Sequence, residues 1–180
     1  KHAIDHDMQR QSGVIRQADV TMGQALAHLG GTYQMRGPTT VLNMKMAGDN
    51  MPVDDLQAML PALGVVLPPC SSLKGGTLST NLNLSGPTDK LVTSGPIRLA
   101  NSKLAGFDLG SKLSAISALS GANTGSDTSI QNLSTDAQVS PDMIRTDNVN
   151  LVIPALGELT GAGTISPSGA LNYKLTAKLT

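Results

Sequence analysis

Tryptophan is absent, and the aromatic set is limited to Tyr33, Phe107 and Tyr173. A base-stacking nucleic-acid binder needs more aromatic side chains than this, set in a basic groove. An aromatic-lined sugar or drug pocket is argued against on the same count. Charge is scarce as well: 14% of residues are Asp, Glu, Lys or Arg, against about 25% in ordinary domains. The formal net charge is zero, so bulk electrostatics favours neither nucleic acid nor an anionic membrane surface. Cys70 stands alone, which rules out a disulfide within the chain and leaves the redox compartment open. No apolar run approaches the roughly 18 residues that would span a bilayer. The chain opens on Lys1 with neither methionine nor signal peptide, and reads as an excised fragment whose export signal or membrane anchor would lie upstream.

Apolar residues are nonetheless plentiful, at 39% with 19 glycines beside them, which argues against disorder. The greasy surface must therefore be Leu, Met, Val, Ile and Ala. Its arrangement is clearest from Gly75-Gly76 to Gly86-Pro87. Leu78, Thr80, Leu82 and Leu84 alternate with Thr77, Ser79, Asn81, Asn83 and Ser85. Strand side chains switch faces at every residue, so this is a strand with one greasy face and one wet, uncharged face.

The same reading predicts strands over residues 14–23, 25–35 and 42–47, with Gly30-Gly31 as a bend or bulge. It continues with 90–93 and 96–100 around Ser94-Gly95, then 129–139, 144–153, 157–166 and 171–179. In the last of these, Leu171, Tyr173, Leu175, Ala177 and Leu179 oppose Asn172, Lys174, Thr176 and Lys178. Two short amphipathic helices are expected. One starts at Asn50-Met51-Pro52, with Val53, Leu56, Met59, Leu60 and Leu63 on one face and Asp54 and Asp55 near the positive dipole end. The other is capped by Asp108, with Leu109, Leu113, Ile116 and Leu119 as its stripe. Residues 1–13 read as a polar, flexible leader and 14–180 as a single β-rich domain. Gly-Gly-Thr or Gly-Ala-Gly-Thr openings at Gly30, Gly75 and Gly161 form a weak repeat, which suggests stacked supersecondary units.

Catalytic and metal patterns fail on context. His2 and His6, with Asp5 and Asp7 beside them, could share a helical face, but a solvated leader explains them as well. Ser71-Ser72-Leu73-Lys74 matches a Ser-x-x-Lys pattern, yet Lys74 runs straight into Gly75-Gly76 and a strand, where the mechanism needs a helix. Ser126-Asp127-Thr128 only approximates a Ser-Asp-Asn box. His28 lacks a carboxylate or thiol at metal spacing, and Glu158 is the only glutamate. Gly161-Ala162-Gly163 lies between strands and reads as a bulge rather than a phosphate loop. No enzyme, cofactor or metal is expected.

From Gly75 onward the order of motifs resembles the C-terminal region of the AsmA family of bacterial envelope proteins. The residues that carry the likeness are Gly75-Gly76-Thr77-Leu78, Ser85-Gly86-Pro87 and Ser94-Gly95-Pro96-Ile97-Arg98-Leu99-Ala100-Asn101. Leu104-Ala105-Gly106-Phe107-Asp108-Leu109, Asp127-Thr128-Ser129-Ile130 with Leu133, Gly161 to Ile165 and Leu171-Asn172-Tyr173 continue it. The likeness covers residues 75–180 and, more loosely, 38–70. Ile130 stands where an aromatic is expected, and Pro141-Asp142-Met143 where glycine is usual.

The resemblance implies a periplasmic protein held in the inner membrane by an upstream helix. It also implies kinship with bridge-like lipid transfer proteins, whose curved antiparallel sheets form an open groove or half-barrel for phospholipid acyl chains. Such a groove would be lined by Leu42, Met44, Met46, Leu78, Leu82, Leu84, Val149, Leu151, Ile153, Leu171, Tyr173, Leu175 and Leu179. The helix of Leu109, Leu113, Ile116 and Leu119 would cap it. The expected function is therefore a non-enzymatic lipid-binding or lipid-conducting domain serving outer-membrane lipid homeostasis or assembly. A ligand-free structural β-sandwich and an adhesin-like β-repeat are the alternatives.

Overall fold

Alternating sequence becomes strand along most of the described residues. In the computed structural model, which describes residues 2–7, 11–58, 67, 70–108, 126–168 and 170–179, the strands are long and nearly all pair with their sequence neighbours. They are β1 (His2–Asp7), β2 (Ser12–Met22), β3 (Ala25–Arg36), β4 (Thr39–Pro52), β5 (Ser72–Lys74) and β6 (Thr77–Pro87). After these come β7 (Val92–Ala105), β8 (Thr128–Val139), β9 (Ile144–Ile153), β10 (Gly157–Ile165) and β11 (Leu171–Lys178). All join one antiparallel sheet in the order β1-β2-β3-β4-β6-β7-β8-β9-β10-β11, with the short β5 paired to the end of β7. The sheet is not closed into a barrel, so β1 and β11 are its two edges.

One expectation about helices is corrected. Among the described residues there is one four-residue helix, α1 (Val53–Leu56), and one 3-10 turn at Thr88–Lys90. Met51 and Pro52 belong to the end of β4, where they pair with Leu78 and Thr77 of β6. Ladder pairing with β6 outcompetes a first helical turn there, so α1 starts only at Val53. Met59, Leu60 and Leu63, and the second helix with Leu109, Leu113, Ile116 and Leu119, lie outside the described residues.

The stretch expected as a polar leader contains β1, which pairs with β2 from His2↔Ala18 to Asp7↔Ser12. His2 and His6 are therefore on an extended strand, and no helical face brings them together. Ser94-Gly95 does not divide its region into two strands either, because β7 runs through it. Gly95 has φ +150, and a Cβ there would lie 2.2 Å from the Asn81 carbonyl oxygen. Glycine lets β6 and β7 pass closely at this point instead of turning the chain.

α1 packs its Val53 and Leu56 into the main core, with Ala25, Met51, Leu73, Leu78, Leu99 and Ile130. Its two aspartates do more than face the dipole. Asp54 accepts from the Gly75 backbone N–H at 3.2 Å, and Asp55 accepts from that of Gln24 at 2.8 Å. One helical turn thus ties the β2–β3 turn to the Gly75-Gly76 turn. A smaller core of Ile153, Leu156 and Leu159 sits at the β9–β10 turn.

Candidate functional site: an uncharged apolar sheet face

Residues paired in register share a face of the sheet, so the pairings show what each face carries. One row runs Ile15, Gly31, Met44, Leu84, Thr93, Val139, Ile144, Ile165 and Leu171 across β2 to β11. A parallel row passes through Met22, Ala25, Met51, Leu78, Leu99, Leu133, Leu151, Leu159 and Ala177, with alternation carrying β3 to β4. The residues expected to line a groove fall on this same face wherever they are paired: Leu42, Met44 and Met46 on β4; Leu78, Leu82 and Leu84 on β6; Val149, Leu151 and Ile153 on β9; Leu171, Tyr173 and Leu175 along β11; Leu179 lies just beyond the end of β11, outside the pairing. None of the residues in these two rows is charged. Lys45, Arg98, Asp136, Arg145, Asp147, Glu158, Lys174 and Lys178 all stand on the opposite face.

Three of the hydroxyls on the apolar face are bonded internally. Thr80 donates to the Pro96 carbonyl at 2.9 Å, Thr135 to the Asp147 carbonyl at 2.9 Å, and Thr146 to the Tyr173 oxygen at 3.0 Å. A satisfied hydroxyl presents carbon rather than an open polar group, which keeps the face apolar. Two of the chain's three aromatics serve the same surface. A Cβ on Gly13 or Gly163 would fall 2.4 Å from the ring of its cross-strand partner, Tyr33 or Tyr173. Each tyrosine thus lies over a glycine and covers bare backbone with carbon. Sequence reasoning missed these pairs, since nothing in the spacing shows that Gly13 opposes Tyr33.

The face is not covered evenly. Leu82 and Leu78 are 2% and 6% exposed, while Leu171 and Leu175 on β11 are 70% and 41% exposed. Between α1 and β2 to β4 lies a cavity of about 180 Å³, lined only by apolar side chains: Val20, Met22, Ala25, Ala27, Leu29, Met46, Met51 and Leu56. A wider depression at the β1–β4 end, about 860 Å³, mixes Asp5, Asp7 and Asn43 with Tyr33 and Leu42, and lacks this uniform lining.

The opposite face holds local ion pairs, such as Arg16 with Asp5 at 2.7 Å and Arg145 with Asp147 at 2.9 Å. Hydrogen bonds from Gln17, and next from His28, whose Nδ1 lies 2.8 Å away, hold the Asp19 carboxyl below the usual carboxylate range. Among the described residues no group of three or more His, Cys, Asp or Glu is placed to hold a metal ion. Ser72, Leu73 and Lys74 form strand β5, so the Ser71-x-x-Lys74 spacing is not on a helix. Asp127 accepts from the Gly106 backbone N–H, and Thr128 donates to the Phe107 carbonyl, which gives both a structural task.

No protein-family model matches the chain, nor does any curated protein or any solved structure. Among the described residues no helix is long and apolar enough to cross a membrane.

Proposed function

We propose that this chain is a non-enzymatic lipid-binding domain whose apolar sheet face forms an open groove or half-barrel for phospholipid acyl chains. The observation that carries the reading is the register: the paired residues of β4, β6, β9 and β11 expected to contact acyl chains lie on one face, opposite Lys45, Arg98, Asp136, Arg145, Asp147, Glu158, Lys174 and Lys178. Apolar surface leaving water gains roughly 25 cal/mol per Å², so the part of the face left open around Leu171 and Leu175 attracts hydrocarbon. Methionine suits such a surface, because its flexible thioether adapts to a mobile chain. The all-apolar cavity under α1 offers a place for a chain end.

The AsmA resemblance supports the same reading and supplies its setting. In it, the parent protein is periplasmic, anchored in the bacterial inner membrane by an upstream segment, and serves outer-membrane lipid homeostasis. Partners are lipid acyl chains rather than nucleic acid. The core around α1 favours a second reading at that end of the sheet, a structural module closed on itself without ligand.

Charge placed on the face separates the two. Leu82 is buried at 2%, so Leu82→Lys unfolds the chain under either reading. Leu175 is 41% exposed, so Leu175→Lys retains the fold and loses co-purifying phospholipid if the face binds lipid. Unchanged lipid content in Leu175→Lys, or no lipid in the parent chain, overturns the proposal in favour of the structural module.

A further inference from the structure

We infer that the sheet continues from one copy of this chain to the next, with β11 of one pairing antiparallel to β1 of the other. Among the described residues, no strand pairs with the outer side of β1 or of β11, and such open edges recruit further strands. β11 is suited to this. Its eight residues pair with β10 in unbroken register, without bulge or proline, leaving a regular outer edge. The path from β1 to β11 contains ten strands, each antiparallel to its neighbour, so β1 and β11 run in opposite directions. A second copy added head-to-tail therefore prolongs the same antiparallel alternation and keeps the apolar faces on one side.

Charge selects this pairing over the others. Lys174 and Lys178 lie on the polar face of β11, and Asp5 and Asp7 on the polar face of β1, all exposed. In the register that sets Asp7 opposite Lys174, Asp5 stands diagonal to both lysines, within reach of cross-strand attraction. Asp5 already pairs with Arg16 and Asp7 also has a partner of its own, but both carboxylates are exposed, where such bonds are readily shared. A two-fold β11–β11 contact would set lysine against lysine, and β1–β1 aspartate against aspartate, each unfavourable. Edge lysines guard a sheet against pairing with another strand, and Asp5 and Asp7 of an incoming β1 neutralise that guard. The exposure of Leu171 (70%), Leu175 (41%) and Leu179 (38%) at this edge is what a neighbouring strand's side chains would reduce. The contact is heterologous, so it builds open chains or rings rather than closed dimers.

Sedimentation velocity of the 180-residue chain over a concentration series, at low and high salt, tests this. The expected result is concentration-dependent growth past the dimer, weakened about tenfold by high salt. Lys174→Glu with Lys178→Glu weakens it by a similar factor, as does Asp5→Lys with Asp7→Lys, and combining all four substitutions restores it. Circular dichroism confirms that each variant is folded. A monomer at every concentration overturns the inference. So does a species that stops at dimer, association indifferent to salt and to the charge reversals, or a four-fold variant that fails to recover.

Discussion

At the scale of single residues, exposure along the apolar face decides what a substitution costs. Leu82, at 2% exposure, is packed between β4 and β7, so Leu82→Ala leaves a cavity and costs about 2–5 kcal/mol. Leu171, at 70% exposure on the same face, has little packing to lose, and Leu171→Ala stays within about 0.5 kcal/mol of the parent. Urea unfolding measures both; equal losses would contradict the difference in packing. Gly95→Ala is expected to cost more than an exposed substitution, about 1–3 kcal/mol, because its Cβ meets the Asn81 carbonyl at φ +150.

On the polar face, Asp19 titrates below the usual carboxylate range, chiefly through the Gln17 amide and then through His28. A depressed folded value means its contribution to stability is complete above the unfolded value of about 3.9, and is lost as pH falls through the lower folded value. The Asp19 carboxyl, followed by NMR, is expected to show a midpoint below that of a free aspartate, and Gln17→Ala moves it upward. A midpoint at or above the free value would contradict the two hydrogen bonds.

At the scale of elements, most strands were legible and the start of α1 was not, for one physical reason. Alternation is a local signal, so β3, β6, β8, β9, β10 and β11 follow the period-two pattern almost to the residue. The apolar spacing after Asn50 also fits a helix, but pairing of Met51 and Pro52 with β6 is decided by a strand distant in sequence. β1 was illegible because it is short and polar, and owes its conformation to β2. The apolar residues of β2, β3 and β7 were visible in the pattern, yet their place on the same face as Leu78 and Leu171 depends on register, which spacing alone does not supply.

The short helix repays a test of its own. Asp55→Ala removes the acceptor for the Gln24 N–H and loosens the β2–β3 turn. Its cost is expected near 1 kcal/mol, in the range of a lost charge-assisted bond at a partly exposed site. Faster amide exchange at Gln24 would report it, and unchanged exchange there would contradict the pin.

At the scale of the whole molecule, an open antiparallel sheet whose rows on one face are uncharged has an apolar surface that something must cover. Near α1 the chain covers part of it with its own core, and toward β11 the described residues leave it open. Lipid acyl chains along the face and a further copy at its edge are compatible, because edge pairing extends the strip and leaves it unobstructed. The central claim is that the strip holds hydrocarbon. Native mass spectrometry of the gently purified chain tests it most directly. The account predicts a bound series at phospholipid masses, lost in folded Leu175→Lys. Only the bare protein mass, even after incubation with phospholipid, would contradict it.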